Sequence, residues 1–304
     1  MKRKTMAFRL TLLTAAFITL PALAPAALLT YEGFGDYGTD GSVHQLTGGT
    51  GWHSGGWDTQ NDTQPYQVAS SSPLTFGSLV TSANGRYLNG GNGFTSVGRR
   101  LNGSFTGVWD SNGYVSDPFS VGNIDQGGVL WFSILARTDT ASRVIELDFT
   151  SSNIPWLGGA ADAIRIRTSG GQWQAGTIGG SFTNALAQSA NTTTFLVGRF
   201  DMNGASSSFH FWATDNPTAL TLGGPDLALG TANVALTGLD ASDIGFRSLR
   251  IYGSDGLGHS QFDEIRFGTT FADVSPIPEP STYALLAAGL GALAWLRRRG
   301  TPKA

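Results

Sequence analysis

Short segments in which apolar and polar residues alternate one for one recur down this chain. That period constrains the fold more than any other feature, because it gives a β-strand one apolar face. In Arg143-Val144-Ile145-Glu146-Leu147-Asp148-Phe149, Ile145, Leu147 and Phe149 share one side while Glu146 and Asp148 share the other. Ala163-Ile164-Arg165-Ile166-Arg167 repeats the arrangement, and Val129 to Ala136 is apolar nearly throughout, as a strand covered on both faces should be. Thr194 to Met202 and Ser208 to Trp212 flank Asn203-Gly204-Ala205, which predicts an antiparallel pair, and Gln261 to Gly268 supplies a late strand. No segment of the body holds a 3.6-residue period over three turns. Short strands between Gly, Ser, Asn and Asp turns predict an all-β fold, a two-sheet antiparallel β-sandwich of the jelly-roll kind. The Gly-rich stretches Gly48 to Asn61 and Asn84 to Gly93 are expected to form long surface loops.

The two ends follow different rules. Met1 to Ala26 opens with Lys2, Arg3, Lys4 and Arg9, continues through an uncharged run from Leu10 to Leu20, and closes on Ala24-Pro25-Ala26. That order is a secretory signal with cleavage expected after Ala26, the alternative being an uncleaved anchor helix. Residues 276–304 carry Pro278-Glu279-Pro280, then Ser281 to Leu296 without a charge, then Arg297, Arg298, Arg299 and Lys303. As a helix, the uncharged run reaches roughly 24 Å against a hydrocarbon core of about 30 Å, a marginal span. The three arginines act as a membrane stop on the cytoplasmic side and leave the body, residues 27–275, outside the inner membrane.

This tail resembles the PEP-CTERM sorting cassette: the Pro278-Glu279-Pro280 tripeptide, a short apolar helix over 281–296 and a basic end over 297–304. The resemblance implies signal-peptidase processing and export, transient residence in the inner membrane, and recognition and tail removal by an exosortase-type enzyme. The final place is then the cell surface or extracellular matrix. An ordinary C-terminal anchor is the alternative.

The exported body holds 11 arginines, no lysine and 21 acidic residues, a net charge of −10. Such a body repels phosphate backbones, so no nucleic-acid partner is expected. The chain has no cysteine, which excludes disulfide frameworks, zinc fingers and thiol chemistry.

A second resemblance rests on Tyr87-Leu88-Asn89-Gly90-Gly91-Asn92-Gly93, Arg99-Arg100-Leu101, Leu130 to Arg137, Phe195 to Asp201, Phe211 to Pro217 and Phe262 to Gly268. These look like exported bacterial proteins that join a concanavalin A or laminin G-like sandwich to a PEP-CTERM tail, which implies the fold and leaves the ligand open.

Glu146-Leu147-Asp148 is the strongest chemical constellation, since two carboxylates two apart on a strand share a face and retaining glycosidases use a close carboxyl pair. Laminarinase-like hydrolases of this fold carry Glu-x-Asp-x-x-Glu or Glu-x-Asp-x-Glu. Here Thr150 and Ser151 stand where the second Glu belongs. Without it the leaving group has no acid, so no catalytic residue is assigned. Asp58 with Asn61 and Asp62, or Asp110 with Asn112, offers oxygen ligands for calcium, although turn formation explains the same residues. No His-Glu-x-x-His or phosphate loop occurs.

Trp52, Trp57, Trp109, Trp156 and Trp173 sit among Gly, Asn, Asp and Gln and are the candidate glycan-contacting residues, since an indole offers a flat apolar face to a sugar ring. The alternative is that they plug the sandwich beneath its loops. The sequence therefore predicts a non-enzymatic surface or matrix protein that contacts extracellular polysaccharide. The alternatives are a polysaccharide hydrolase or lyase on the same fold, and an ice-binding or surface adhesin. For the last, Thr192-Thr193-Thr194 is one cluster and not a ladder.

Overall fold

The alternating segments pair as two antiparallel sheets in the computed structural model. It describes residues 27–60, 66–71, 73–79, 81–82, 84–90, 95–101, 115–117, 120–121, 128–150, 164–203, 206–219, 231–239, 247–253 and 259–275. In chain order the strands begin with β1 Leu28–Glu32, β2 Gly41–Ser42, β3 Asp58–Thr59, β4 Gln67–Ala69, β5 Tyr87–Asn89 and β6 Thr95–Arg100. They continue through β7 Val115–Asp117, β8 Ser120–Val121, β9 Gly128–Thr138, β10 Ile145–Thr150, β11 Ile164–Ser169 and β12 Gln172–Thr177. The last are β13 Phe182–Ala187, β14 Thr194–Met202, β15 Ser207–Thr214, β16 Val234–Leu239, β17 Ser248–Gly253 and β18 Ser260–Gly268, followed by one helix, α1 Phe271–Val274. A nine-stranded sheet runs β16-β15-β14-β9-β18-β5-β4-β2 with β1 also on β18, and a seven-stranded sheet runs β13-β12-β11-β10-β17-β6-β3. β7 and β8 form a separate ribbon.

The expected strands are present, and two expected loops are corrected. Tyr87–Asn89, within the stretch read as a loop, inserts between β18 and β4, and Asp58–Thr59 closes the edge of the other sheet. Two- and three-residue strands are too short to show a period. Among the described residues no helix is long and apolar enough to cross a membrane. The helices expected within 1–26 and over 281–296 lie outside those residues.

Alternation sorts each strand. Leu130, Phe132 and Ile134 of β9 face Leu147 and Phe149 of β10 across the core, and the Phe132 and Phe149 rings lie 4.6 Å apart. Gly198 in β14 passes so near that a Cβ there would overlap the Phe132 ring. The opposite face of β9 is apolar too, because Trp131 and Leu135 meet Leu74, Phe76, Phe195, Trp212, Phe271 and Val274. α1 folds back over this outer face, held by a Thr270–Asp273 capping box and by Ser133 Oγ donating to Val274 O at 2.6 Å.

Two buried charge systems interrupt the apolar interior. Arg99 and Glu32, both almost fully buried, pair at 2.7 Å (Nη1 to Oε2). Glu32 also accepts from Tyr37 Oη at 2.6 Å, Trp57 Nε1 at 3.2 Å and Phe34 N at 3.0 Å, while Arg99 donates to Gly48 O. Burial pushes the Glu32 carboxyl above its ordinary value, against the lowering effect of Tyr37 and Arg99.

The second system lies on β18, whose register shifts between Asp263 and Arg266 where Glu264 adopts a left-handed φ of 54°. Burial, and then the charge of Glu264, pushes the buried Asp263 carboxyl well above the carboxylate range, although the amides of Glu264 and Leu74 donate to it. A raised folded value means that the native state keeps a proton the unfolded chain releases above its ordinary value of about 3.9. That stability is present at lower pH and is lost as pH rises through the folded value. Asp263→Asn keeps the accepting oxygen without the charge, so thermal melts should show a flatter decline above about pH 4 than the wild type. Parallel decline of both proteins would refute the assignment.

Candidate functional site

On the outer face of the seven-stranded sheet, strand register assembles a polar row. Glu146 of β10 stands between Arg167 of β11 and Tyr252 of β17, and Asp148 stands between Arg165 and Arg250. Arg165 grips Asp148 with two bonds, Nε to Oδ1 at 2.6 Å and Nη2 to Oδ2 at 2.9 Å, and reaches Glu146 at 3.1 Å. Arg250 Nη1 bonds Asp148 at 2.7 Å and Glu146 at 3.3 Å. Burial alone would depress the Arg165 guanidinium, but the hydrogen bond and charge of Asp148, then the charge of Glu146, lift it above its ordinary value. The row continues as Arg167 Nε to Gln174 Oε1 at 3.0 Å and Gln174 Nε2 to Asn184 Oδ1 at 2.7 Å. Asp148 is fully buried and accepts three hydrogen bonds from arginine on its two oxygens, so it presents no exposed oxygen to a substrate. Thr150, in place of a third acid, is fully buried as well.

Beyond this row the chemistry is different. Arg100, at the end of β6, pairs with Ser248, and Asp58, at the start of β3, pairs with Gly98. Over this edge the chain from His44 to Trp57 closes on itself. Gln45 N donates to Trp57 O at 2.7 Å, Trp57 N to Leu46 O at 3.0 Å, and His53 N to Arg100 O at 3.0 Å. Gly56 is required there, since a Cβ would collide with the Gln45 backbone. The result is a cavity of about 310 Å³ lined by His44, Gln45, His53, Gly56, Asp58 and Arg100 among others.

Arg100 is exposed, and neither it nor Asp58 has an ion-pair partner among the described residues. Gly55 N donates to His53 Nδ1 at 3.2 Å, so in the neutral ring the proton resides on Nε2, which is then the donor. The cavity thus offers guanidinium and imidazole donors beside a carboxylate acceptor, the groups that fix hydroxyls of a polar ligand. No trio of His, Asp or Glu among the described residues is arranged to hold a metal. Elsewhere, Ser208 Oγ and Asp201 Oδ2 both approach the same nitrogen of His210, Nε2, at 3.1 and 3.2 Å. A nucleophile–base–acid relay uses opposite nitrogens, so this cluster is not one.

The tryptophans require correction. Trp52, Trp57 and Trp173 are buried and present no ring face to a sugar. Trp52 and Trp57 lie in segments that fold over the core, with Trp57 Nε1 tied to Glu32 and Trp52 Nε1 donating to Tyr31 O at 3.3 Å, and Trp173 points into the core from β12. Trp109, Trp156, Asn61, Asp62, Asp110, Asn112, Pro278, Glu279, Pro280, Arg297, Arg298 and Arg299 lie outside the described residues. Arg100 and His53 were not singled out in the sequence. The one available signal was a histidine within a Gly-rich stretch.

The PEP-CTERM protein-sorting motif matches residues 276–299. It marks an exported chain recognised by an exosortase-type enzyme and sorted to the cell surface or extracellular space. No curated protein matches the chain. Among solved structures, the globular domain of T. cruzi calreticulin is similar at 13% identity and a TM-score of 0.46, covering 90% of this chain and 100% of that one. An endo-1,3-beta-glucanase from Streptomyces sioyaensis gives 11% and 0.41, over 82% and 99%. Lectin UEA-II complexed with galactose gives 12% and 0.37, over 75% and 96%.

Proposed function

We propose that this chain is a non-enzymatic exported β-sandwich that contacts extracellular carbohydrate through the cavity at His53, Asp58 and Arg100. The observation that carries the reading is a contrast on one sheet. The carboxylates with the spacing of a hydrolase are engaged by Arg165 and Arg250, while Arg100 and Asp58, without an ion-pair partner among the described residues, line a cavity of about 310 Å³. Residues 1–26 are removed on export, and the helix over 281–296 holds the body, 27–275, at the inner membrane until an exosortase acts near Pro278-Glu279-Pro280.

The body, probed on a glycan array, should bind saturably and release no reducing sugar. Arg100→Ala should weaken that binding about tenfold, the worth of one charge-assisted hydrogen bond, and leave the melting temperature nearly unchanged because the Arg100 side chain is exposed and forms no ion pair among the described residues. Released sugar, or binding indifferent to Arg100→Ala, would overturn the proposal.

A further inference from the structure

Both ends of the body emerge at one place. Ala27 N donates to Thr269 Oγ1 at 3.1 Å, Thr269 N donates back to Ala27 O at 3.1 Å, and Leu28 stands opposite Gly268. Two residues later α1 begins, and its last anchored positions, Val274 and Ser275, are buried against the outer face of the nine-stranded sheet. From Ser275 to Ser281, where the uncharged run begins, is six residues. In any conformation that is no more than about 22 Å. From Leu20, where the N-terminal run ends, to Ala27 is seven residues, no more than about 25 Å. Before residues 1–26 are removed, two membrane-directed segments thus leave the fold from neighbouring points, and afterwards the C-terminal leash of no more than about 22 Å remains.

The surface beside those exits is fitted to the position. Of the three exposed large apolar side chains among the described residues, Leu28 (40% exposed) lies at the Ala27–Thr269 junction. Val129 (37%), the second residue of β9, lies at the same end and on the same outward face as Trp131 and α1. The third, Val144 (39%), lies beyond the far end of β9, roughly 30 Å of strand away. A body of net charge −10 is not drawn to anionic lipid, so the leashes and these apolar contacts set its pose.

We infer that the uncleaved chain presents one fixed surface to the lipid bilayer, the outer face of the nine-stranded sheet around α1, Leu28 and Val129. The other sheet, with its cavity, faces away. This rests on the reading of 281–296 as a membrane helix and adds the orientation that reading leaves open. It also explains how a binding site is kept clear of the membrane by a tether of only a few residues.

The absence of cysteine makes the test direct. Full-length chain carrying Pro278→Ala, Glu279→Ala and Pro280→Ala, to retain the tail, is placed in phosphatidylcholine vesicles containing a lipid-linked quencher. A fluorophore is attached through Val129→Cys or Val144→Cys, two sites of matched exposure. Several-fold stronger quenching at position 129 is expected. Equal quenching, or stronger quenching at 144, in chain that floats with the vesicles overturns the orientation alone. Chain that does not float overturns the membrane-helix reading and the orientation with it.

Discussion

Arg99→Leu is expected to lower the unfolding free energy by about 3–5 kcal/mol, the cost of leaving a buried charge without its partner. Glu32 is all but inaccessible, and three of the groups that point at it, Tyr37, Trp57 and the Phe34 amide, are neutral donors. Without the guanidinium, the carboxylate must either stay charged in the core or take up a proton, and burial already favours the proton. The loss should therefore be largest at high pH and smaller in acid. Arg99 also lies 5.2 Å from the Trp52 ring and 5.9 Å from that of Trp57, so these cation–π contacts are lost with its charge. Adding Glu32→Gln to Arg99→Leu should recover a large part of the deficit, since the unpaired charge is the main penalty. Urea denaturation of the two variants decides it. A double variant no better than Arg99→Leu would show that packing, and not charge, sets the cost.

Asp148→Ala should be about as damaging, again about 3–5 kcal/mol, because it strips the shared acceptor from Arg165 and Arg250 together. This prediction bears directly on function. Residues kept for catalysis are commonly a burden on the fold, and their removal tends to leave stability unchanged or improved. A carboxylate kept to join β10, β11 and β17 has the opposite signature. Glu146 is part-exposed and shares the same cations, so Glu146→Gln should cost well under half as much. Thermal melts of the two variants, run beside an assay for released reducing sugar, separate the cases. An Asp148→Ala protein that melts like the wild type would return this pair to the catalytic candidates.

What the sequence shows of this fold depends on strand length. β9, β10, β11, β14, β15 and β18 have six or more residues and an apolar stripe, so their alternation is legible. β2 to β5 have two or three, and their place in the sheets is decided by partners far away in the chain. The same limit applies to the site. Alternation places Glu146 and Asp148 on an outward face, and the structure agrees. Whether those acids are free depends on arginines 17 and 102 residues away, which only the register brings alongside. The tryptophans mislead for a related reason, since polar neighbours in sequence do not report that the segment folds inward. Trp57 borders the cavity together with Gly56 and Asp58, yet it is fully buried and its indole nitrogen is bonded to Glu32.

The position of β18 has a mechanical consequence. A pull arriving through the C-terminal tail meets α1 first, gripped by Phe271, Val274 and the Ser133 hydrogen bond, and then enters β18 at Gly268. β18 is not an edge. It is bonded to β9 along one side and to β1 and β5 along the other. Tension is thus shared at once between two ladders, where a terminal edge strand would peel open one bond at a time. Under the proposed function, a chain held by its end and bound to a polymer on the opposite sheet would carry that force through its aromatic interior.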